Sequence, residues 1–312
     1  MFAFTKEQKV FEVGGVRFGG QPGQNPTALF GTIFYGKQFK ELDEVSLTKA
    51  KDLILAQEAV SKETGVPGLA DVYLKQEDRL FKELNLVLDS TDMPFSIDIS
   101  ESELRIKALE FLGKAGVLDR VIYNSINLGL SDKEVKALAK HTPAAAIVLA
   151  YNPKDMSVDG RISILEDGAH IVKVDGREMG LLEVAKNAGI DKILLDSAAT
   201  PFNHSAAETL RAIPVMKSEY GLPVGCAIHN TLESWLWMRE YRKGRPEDYE
   251  CFDVGVNTLV PVMCGDFIVY GPVELARKVF PAVAFTDKLI AEGAVEYFGA
   301  EVSKSHPYYK LE

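Results

Sequence analysis

The chain has 312 residues, of which 46% are hydrophobic and 26% charged, with a formal net charge of −10 at pH 7. This is ordinary globular usage, and the acidic balance argues against binding of nucleic acid, which requires clustered Lys and Arg. No run of about eighteen apolar residues occurs, and three cysteines are too few for a disulfide framework. We therefore expect a cytoplasmic protein with no membrane insertion.

The first predicted element is a β-hairpin over 9–19. The pair Gly14-Gly15 separates two short apolar runs, and paired glycines suit a two-residue turn. We expect this hairpin to plug the bottom of the sheet structure that follows it.

After the hairpin, the chain repeats one pattern: a short apolar run, a polar residue at its end, and then an amphipathic helix. The eight runs are 28–35, 69–74, 94–98, 121–124, 144–150, 192–196, 223–230 and 266–270. Apolar runs without alternation are typical of strands buried on both faces in a parallel sheet. The pattern predicts an α/β fold, a single (β/α)8 TIM barrel domain over 1–312. A doubly wound sheet is the alternative, but no strand-turn-helix carries a glycine fingerprint.

A second hairpin is predicted over 160–174, inserted between the fifth strand and its helix. Asp167-Gly168 is a typical hairpin turn, and alternating apolar residues flank it on both sides. In a barrel this insertion would lie over the C-terminal face, where loops carry function.

Five successive strands end in polar residues, which converge on one pocket in a barrel. They are Asp98, Asn124, Asn152, Asp196 and Asn230. Two acids and three amides, without Lys or Arg, favour a neutral heterocycle rich in N–H donors and ring acceptors. Each residue has a structural alternative: Asn230 could cap a helix that begins near Thr231, and Asn152 before Pro153 is a normal turn start.

Six short motifs, in chain order, carry a family resemblance. They lie at 19–23, 31–35, 120–126, 152–155, 222–226 and 229–230. The chain resembles the family of the H subunit of tetrahydromethanopterin S-methyltransferase, and closely resembles its bacterial members that methylate tetrahydrofolate in glycine betaine demethylation. More distantly, it is similar to the pterin-binding methyltransferase of the acetyl-CoA pathway. The resemblance implies a pterin-binding barrel, usually a homodimer, that exchanges methyl groups with a separate corrinoid protein.

The resemblance also implies roles for residues. Asp98, Asn124 and Asp196 match residues that bind the pterin ring, and Asn230 matches the residue that contacts N5, the methyl-bearing nitrogen. With the strand-end Asn152 and two further candidates, the expected pterin site comprises Asp71, Asp98, Asn124, Ser125, Asn152, Asp196 and Asn230. One departure is that Thr32 follows Gly31, where the distant family has an acid.

The main functional expectation is a methyltransferase that moves a methyl group from methylcobalamin, carried by a corrinoid protein, to N5 of tetrahydrofolate. Asn230 would be the catalytic residue, orienting N5 while the proton donor or acceptor stays open. Three alternatives remain. The chain could be the H subunit of a membrane tetrahydromethanopterin:coenzyme M methyltransferase complex, a dihydropteroate synthase-like barrel with a diphosphate-binding Arg and Lys set, or a pterin-binding subunit without catalysis.

No bound metal is expected. The pair Cys226 and His229 has ligand-like spacing but lacks a second close pair, and a cysteine in a buried strand is usually a small apolar residue. None of the five histidines lies in the Asp-x-His-x-x-Gly context of corrinoid carriers, so the cobalt would come from a partner.

Overall fold

The computed structural model describes residues 3–36 and 39–311. It begins with an antiparallel hairpin of β1 (Val10–Val13) and β2 (Val16–Gly19), in which Val13 is paired with Val16 across the turn at Gly14-Gly15. Both turn glycines have positive φ angles, 52° and 82°, which Gly adopts without steric cost.

Eight parallel strands then form a closed barrel, which confirms the (β/α)8 fold predicted from the sequence. The strands that follow the hairpin are β3 (Ala28–Ile33), β4 (Gly68–Leu74), β5 (Phe95–Ile99), β6 (Val121–Ile126), β7 (Ala145–Leu149), β8 (Lys173–Val174), β9 (Arg177–Glu178), β10 (Ile193–Asp196), β11 (Val224–Cys226) and β12 (Phe267–Pro272). The order around the barrel is β10-β11-β12-β3-β4-β5-β6-β7, and β8 pairs with β9 outside it.

Helices follow the barrel strands. They are α1 (Glu44–Thr64), α2 (Leu80–Ser90), α3 (Ser102–Ala115), α4 (Asp132–Lys140), α5 (Val158–Glu166), α6 (Leu181–Asn187), α7 (Ala206–Tyr220), α8 (Ile228–Ser234), α9 (Leu236–Tyr241), α10 (Pro246–Val262), α11 (Ala276–Phe298) and α12 (Pro307–Lys310). None of the helices described is long and apolar enough to cross a membrane.

The strands are apolar on both faces because the barrel has an inner and an outer core. On β7, Ile147 belongs to the cluster inside the barrel, whereas its neighbours Ala146 and Val148 belong to the cluster beneath the helices. Alternate residues of a strand point to opposite faces, so a strand between two cores needs apolar side chains at every position.

The hairpin β1–β2 fills the N-terminal end of the barrel. Its buried residues Val13, Val16 and Phe18 cluster with inward-facing residues near the strand starts. The ring of Phe18 lies 6.0 Å from that of Phe30, which lies 5.9 Å from that of Phe267. The lower part of the barrel is therefore packed with side chains, and its open space lies at the C-terminal ends of the strands.

The prediction of a hairpin over 160–174 is wrong. Residues Val158–Glu166 form α5, whose start is capped when the Ser157 hydroxyl accepts a hydrogen bond from the Gly160 amide. The hairpin present is the short one of β8 and β9, shifted toward the C-terminus. The turn signal at Asp167-Gly168 instead marks the end of α5, where Gly168 has a φ of 73°.

Candidate functional site

A cavity of about 720 Å³ opens at the C-terminal ends of the barrel strands. Six of the seven residues predicted to bind the pterin line it: Asp71, Asp98, Asn124, Ser125, Asp196 and Asn230. The volume is within the range of small-molecule sites, and convergent polar groups at this end of a barrel are typical of an active site.

Asp71 lies at the floor of the cavity and is completely buried. Its carboxylate accepts hydrogen bonds from Ser96 Oγ at 2.5 Å, Thr32 Oγ1 at 3.0 Å and Asn124 Nδ2 at 3.3 Å. Burial raises the pKa of Asp71, and these three hydrogen bonds oppose the rise. Asp71 thus acts as the centre of a polar network that orients Asn124.

Asp98 and Asn124 are direct neighbours across β5 and β6. Burial raises the pKa of Asp98 well above its ordinary value, and the charges of Asp71 and Asp196 raise it further, whereas Arg105 opposes the rise. A carboxyl group in this setting favours its neutral form, which can donate a hydrogen bond.

Strand β6 has a register irregularity between Asn124 and Ile126, at the point where two successive residues line the cavity. In a regular strand Asn124 and Ser125 would face opposite sides. Here both residues contribute to the site.

Asp196 ends β10 and is 7% exposed. Its Oδ1 accepts a hydrogen bond from the Ala198 amide at 2.7 Å. Burial raises the pKa of Asp196 to about 6, while that hydrogen bond and the charge of Arg161 oppose the rise. Arg161, on α5, is 1% exposed and donates from Nη1 to the carbonyl oxygens of Ser197 and Ala198. No pattern in the sequence indicates that Arg161 reaches this site.

Asn230 does not cap a helix, contrary to the structural alternative. Helix α8 begins at Ile228 with Ala227 as its N-cap, so Asn230 is the third residue inside it. Its side chain is exposed to the cavity and forms no hydrogen bond with the part of the chain that the structure describes. The amide is therefore available to a ligand.

Asn152 is the one predicted residue that does not line the cavity. Its Nδ2 donates to the Gly160 carbonyl at 2.9 Å, and its Oδ1 accepts from the Lys154 and Asp155 amides at 3.0 and 3.4 Å. The side chain is 3% exposed. These hydrogen bonds stabilise the turn that joins β7 to α5, since an Asn side chain can satisfy nearby backbone groups in this way. The prediction that Asn152 contacts the ligand is therefore corrected to a structural role.

The sequence indicates His229 only as a weak metal ligand, and no motif indicates Asp253. His229 lines the cavity beside Asn230, and its Nδ1 lies 2.9 Å from both carboxylate oxygens of Asp253 on α10. Twenty-four residues separate the two in the chain. A separation of this length gives no local sequence signal.

Two arginines, Arg239 on α9 and Arg242 after it, also line the cavity, although the strand ends carry none. Arg242 Nη1 is 2.6 Å from Glu233 Oε1, and Arg239 Nε donates to the Glu233 carbonyl at 2.7 Å. Across residues 3–36 and 39–311, no group of three His, Cys, Asp or Glu side chains is arranged to bind a metal ion.

Comparison with known proteins assigns a family. The model for the tetrahydromethanopterin S-methyltransferase MtrH subunit matches residues 6–302. Proteins named as the H subunit of tetrahydromethanopterin S-methyltransferase are 42% identical in Methanothermobacter marburgensis and 37% identical in Methanosarcina mazei, in each case over 100% of both chains. The protein of that name from Methanopyrus kandleri is 38% identical over 97% of both chains.

Solved structures support the fold. Dihydropteroate synthase of Yersinia pestis superposes with a TM-score of 0.59 over 90% of this chain and 98% of that chain, at 14% identity. The Xanthomonas albilineans enzyme with 4-aminobenzoic acid gives a TM-score of 0.58 over 94% and 100%, at 16% identity. At such identities the similarity shows a shared barrel and nothing about the reaction.

The relatives overturn the main functional expectation. That expectation named tetrahydrofolate as the methyl acceptor in glycine betaine demethylation, whereas these relatives are named for tetrahydromethanopterin and match the first alternative. The resemblance at family level is confirmed, because both the family model and the relatives extend over nearly the whole chain. The chain belongs to the family of the tetrahydromethanopterin S-methyltransferase MtrH subunit.

Proposed function

We propose that this chain exchanges a methyl group between N5 of tetrahydromethanopterin and a corrinoid carried by a partner protein. The observation that carries the proposal is the convergence of three aspartates from the barrel strands and two asparagine amides on one cavity, in a chain of this family. Such a set suits a neutral heterocycle with both donors and acceptors on its ring.

Asp196 is the proposed anchor of the pterin ring. One of its oxygens already accepts the Ala198 amide, but a carboxylate retains further lone pairs on both oxygens. These can accept the two parallel N–H groups of the amino-amide edge of a pterin. Because the carboxylate is buried, such hydrogen bonds are stronger than they would be in water.

Asp98 and Asn124 are proposed to bind the remaining ring atoms. A neutral Asp98 donates to a ring nitrogen, and Asn124 accepts through Oδ1, because its Nδ2 is directed to Asp71. Ser125 and Asp71 support this wall of the cavity, Ser125 by lining it and Asp71 through the hydrogen bond to Asn124.

Asn230 is proposed to contact N5 and to orient it for transfer. Its amide is free of described protein partners and lies on α8 at the cavity wall. An amide does not titrate near neutral pH, so Asn230 orients N5 without supplying a proton. Correct alignment of the reacting atoms is a large part of the acceleration that an enzyme can give to a displacement.

The corrinoid is a second substrate, and its cobalt exchanges the methyl group when the carrier protein docks. The relatives are each named as one lettered subunit of a methyltransferase, so we expect this chain to work with partner subunits, one of which carries the corrinoid. The homodimer expected from the resemblance stays a prediction.

Binding and transfer together test the proposal. Calorimetric titration should show binding of tetrahydromethanopterin. The purified chain should also transfer a methyl group between tetrahydromethanopterin and free cobalamin, which is used as the probe. Binding of the pterin without methyl transfer, whether free cobalamin or the corrinoid protein is supplied, would identify a pterin-binding subunit without catalysis. Absence of binding would refute the proposed function.

A further inference from the structure

His229 and Asp253 form a buried pair beside the proposed position of N5. Asp253 is completely buried and His229 is 7% exposed. Asn257 Nδ2 donates to Asp253 Oδ1 at 3.2 Å and to its carbonyl oxygen at 2.9 Å, which fixes the carboxylate. The ring of His229 is thus oriented through Nδ1 by a carboxylate that is itself oriented by an amide.

The other ring nitrogen, Nε2, is free. It forms no hydrogen bond with the described residues. His229 lines the cavity at the C-terminal strand ends and also an adjoining cavity of about 470 Å³. Gly271 on β12 makes room for the ring, since a Cβ there would lie 2.7 Å from His229 Cγ and Nδ1. A histidine with a fixed Nδ1 and a free Nε2 is arranged as a general acid or base.

We propose that His229 is the group that donates a proton to N5 and removes it in the reverse direction, and that Asp253 positions its ring. This inference rests on the proposed function and supplies the proton partner that Asn230 cannot be. The two residues are consecutive on α8, and both line the cavity. Asn230 orients N5, and Nε2 exchanges the proton directly or through one water molecule.

In the methyl-giving direction, N5 of the methylated pterin is a tertiary amine, and protonated His229 gives its Nε2 proton to N5. The reduced corrinoid substrate then contributes the electron pair that forms the new bond to the methyl carbon, while the pair of the broken C–N bond stays on N5. The products are a secondary amine at N5, a methylated corrinoid and neutral His229, which regains a proton from water.

Titratable side chains line the two cavities that meet at His229. They are Asp253, Tyr249 and Glu250 on α10, Glu233 on α8, Arg239 on α9, Arg242 and Lys243 after it, Glu274 after β12, and Tyr35, Asp71, Tyr73, Asp98 and Asp196 across the cavity. Among the described residues, Asp253 is the charged group within hydrogen-bond distance of the ring. Asp253→Asn removes this negative charge, so it should move the histidine-dependent part of the pH profile to lower pH.

The test compares methyl transfer from 5-methyltetrahydromethanopterin to free cob(I)alamin in the parent, His229→Gln and Asp253→Asn, with pterin Kd measured for each. We expect His229→Gln to lower kcat by about 10²- to 10⁴-fold with Kd within a few-fold of the parent, and to remove the fall of kcat at high pH. The matched control is His170→Gln, because exposed His170 also has Nδ1 2.9 Å from a carboxylate, that of Glu178, but lies outside the cavity. It should retain parental kcat.

Two further variants test the same role if His229→Gln folds poorly. Asp253→Asn should shift the pH profile, and added imidazole should restore part of the rate to His229→Ala. A parent that transfers methyl groups while folded His229→Gln retains its kcat and pH profile overturns the role of His229 and leaves the function intact. A parent that binds the pterin but transfers no methyl group overturns the function and, with it, this inference.

Discussion

Asp196 and Arg161 bind the same residue from two sides: Asp196 Oδ1 accepts the Ala198 amide at 2.7 Å, and Arg161 Nη1 donates to the Ala198 carbonyl at 2.5 Å. Ala198 has a φ of 60°, a conformation uncommon for a non-glycine residue, which this pair of contacts stabilises. The buried arginine therefore holds the backbone segment whose amide binds the proposed pterin anchor.

Asp196→Asn should weaken binding of tetrahydromethanopterin by about 1.5–3 kcal/mol, roughly 10- to 150-fold in Kd, because a charge-assisted pair becomes a neutral one. The pKa of Asp196 is raised to about 6 by burial, so parental affinity should fall as the pH drops through about 6 and the carboxylate is protonated. The affinity of the variant should lack this dependence. Calorimetry between pH 5 and 8 measures both effects, with exposed Asp191→Asn as the control. Equal affinity in variant and parent would disprove the assignment.

Arg161→Met should move the pH dependence of pterin binding upward. The positive charge of Arg161 lowers the pKa of Asp196, so its removal keeps the carboxyl group protonated to higher pH. The same titration series measures this shift, and exposed Arg211→Met should leave the midpoint unchanged. An unchanged midpoint in folded Arg161→Met would mean that the two groups are not electrostatically coupled.

Asn230→Ala should lower kcat by roughly 10²-fold while the melting temperature stays within a degree or two of the parent, since Asn230 lies inside α8 and caps nothing. Thr231→Ala is the matched neighbour. Its hydroxyl donates to the Thr200 carbonyl at 2.8 Å in a buried position, so its loss should lower stability by about 1 kcal/mol. A variant Asn230→Ala that melts much earlier but turns over normally would exclude contact with N5.

Asn152→Ala should lower the free energy of unfolding by about 1–3 kcal/mol, because buried backbone groups lose their partners. The folded variant should bind the pterin as the parent does. Denaturant unfolding and calorimetry test the two statements, and Lys154→Ala in the same turn serves as a control with unchanged stability. Loss of affinity without loss of stability would restore Asn152 to the binding site.

Much of the fold was predictable because the barrel strands lie between two apolar cores. This produces continuous apolar runs, such as Ala145–Leu149, that any periodicity analysis detects. The polar residues Asp98, Asn124 and Asp196 were predictable for a related reason, since the C-terminal parts of the strands in a barrel meet at one place. Of these three, only Asp196 is the last residue of its strand, because β5 continues to Ile99 and β6 to Ile126.

The rest depended on contacts between distant parts of the chain. The prediction of a hairpin over 160–174 followed a local turn signal, whereas Val158–Glu166 is a helix capped by Ser157. From this helix Arg161 contacts the loop after β10, which is distant in sequence. The seventh strand was predicted to continue to Asn230 but ends at Cys226, so Asn230 is helical. Asp253 reaches His229 because α10 packs against α8, and no local sequence pattern predicts that packing.

The packed lower barrel also limits how ligands can enter and leave the cavity. With Phe18, Phe30 and Phe267 filling the base, the cavity is a well whose floor is Asp71. Under the proposed function, the pterin and the corrinoid carrier use the same opening of this cavity. We expect the pterin to bind first and to leave last, because a carrier docked over the opening would block its exit. Dissociation of the carrier would then be needed in every cycle and would limit kcat, however fast the methyl group is transferred.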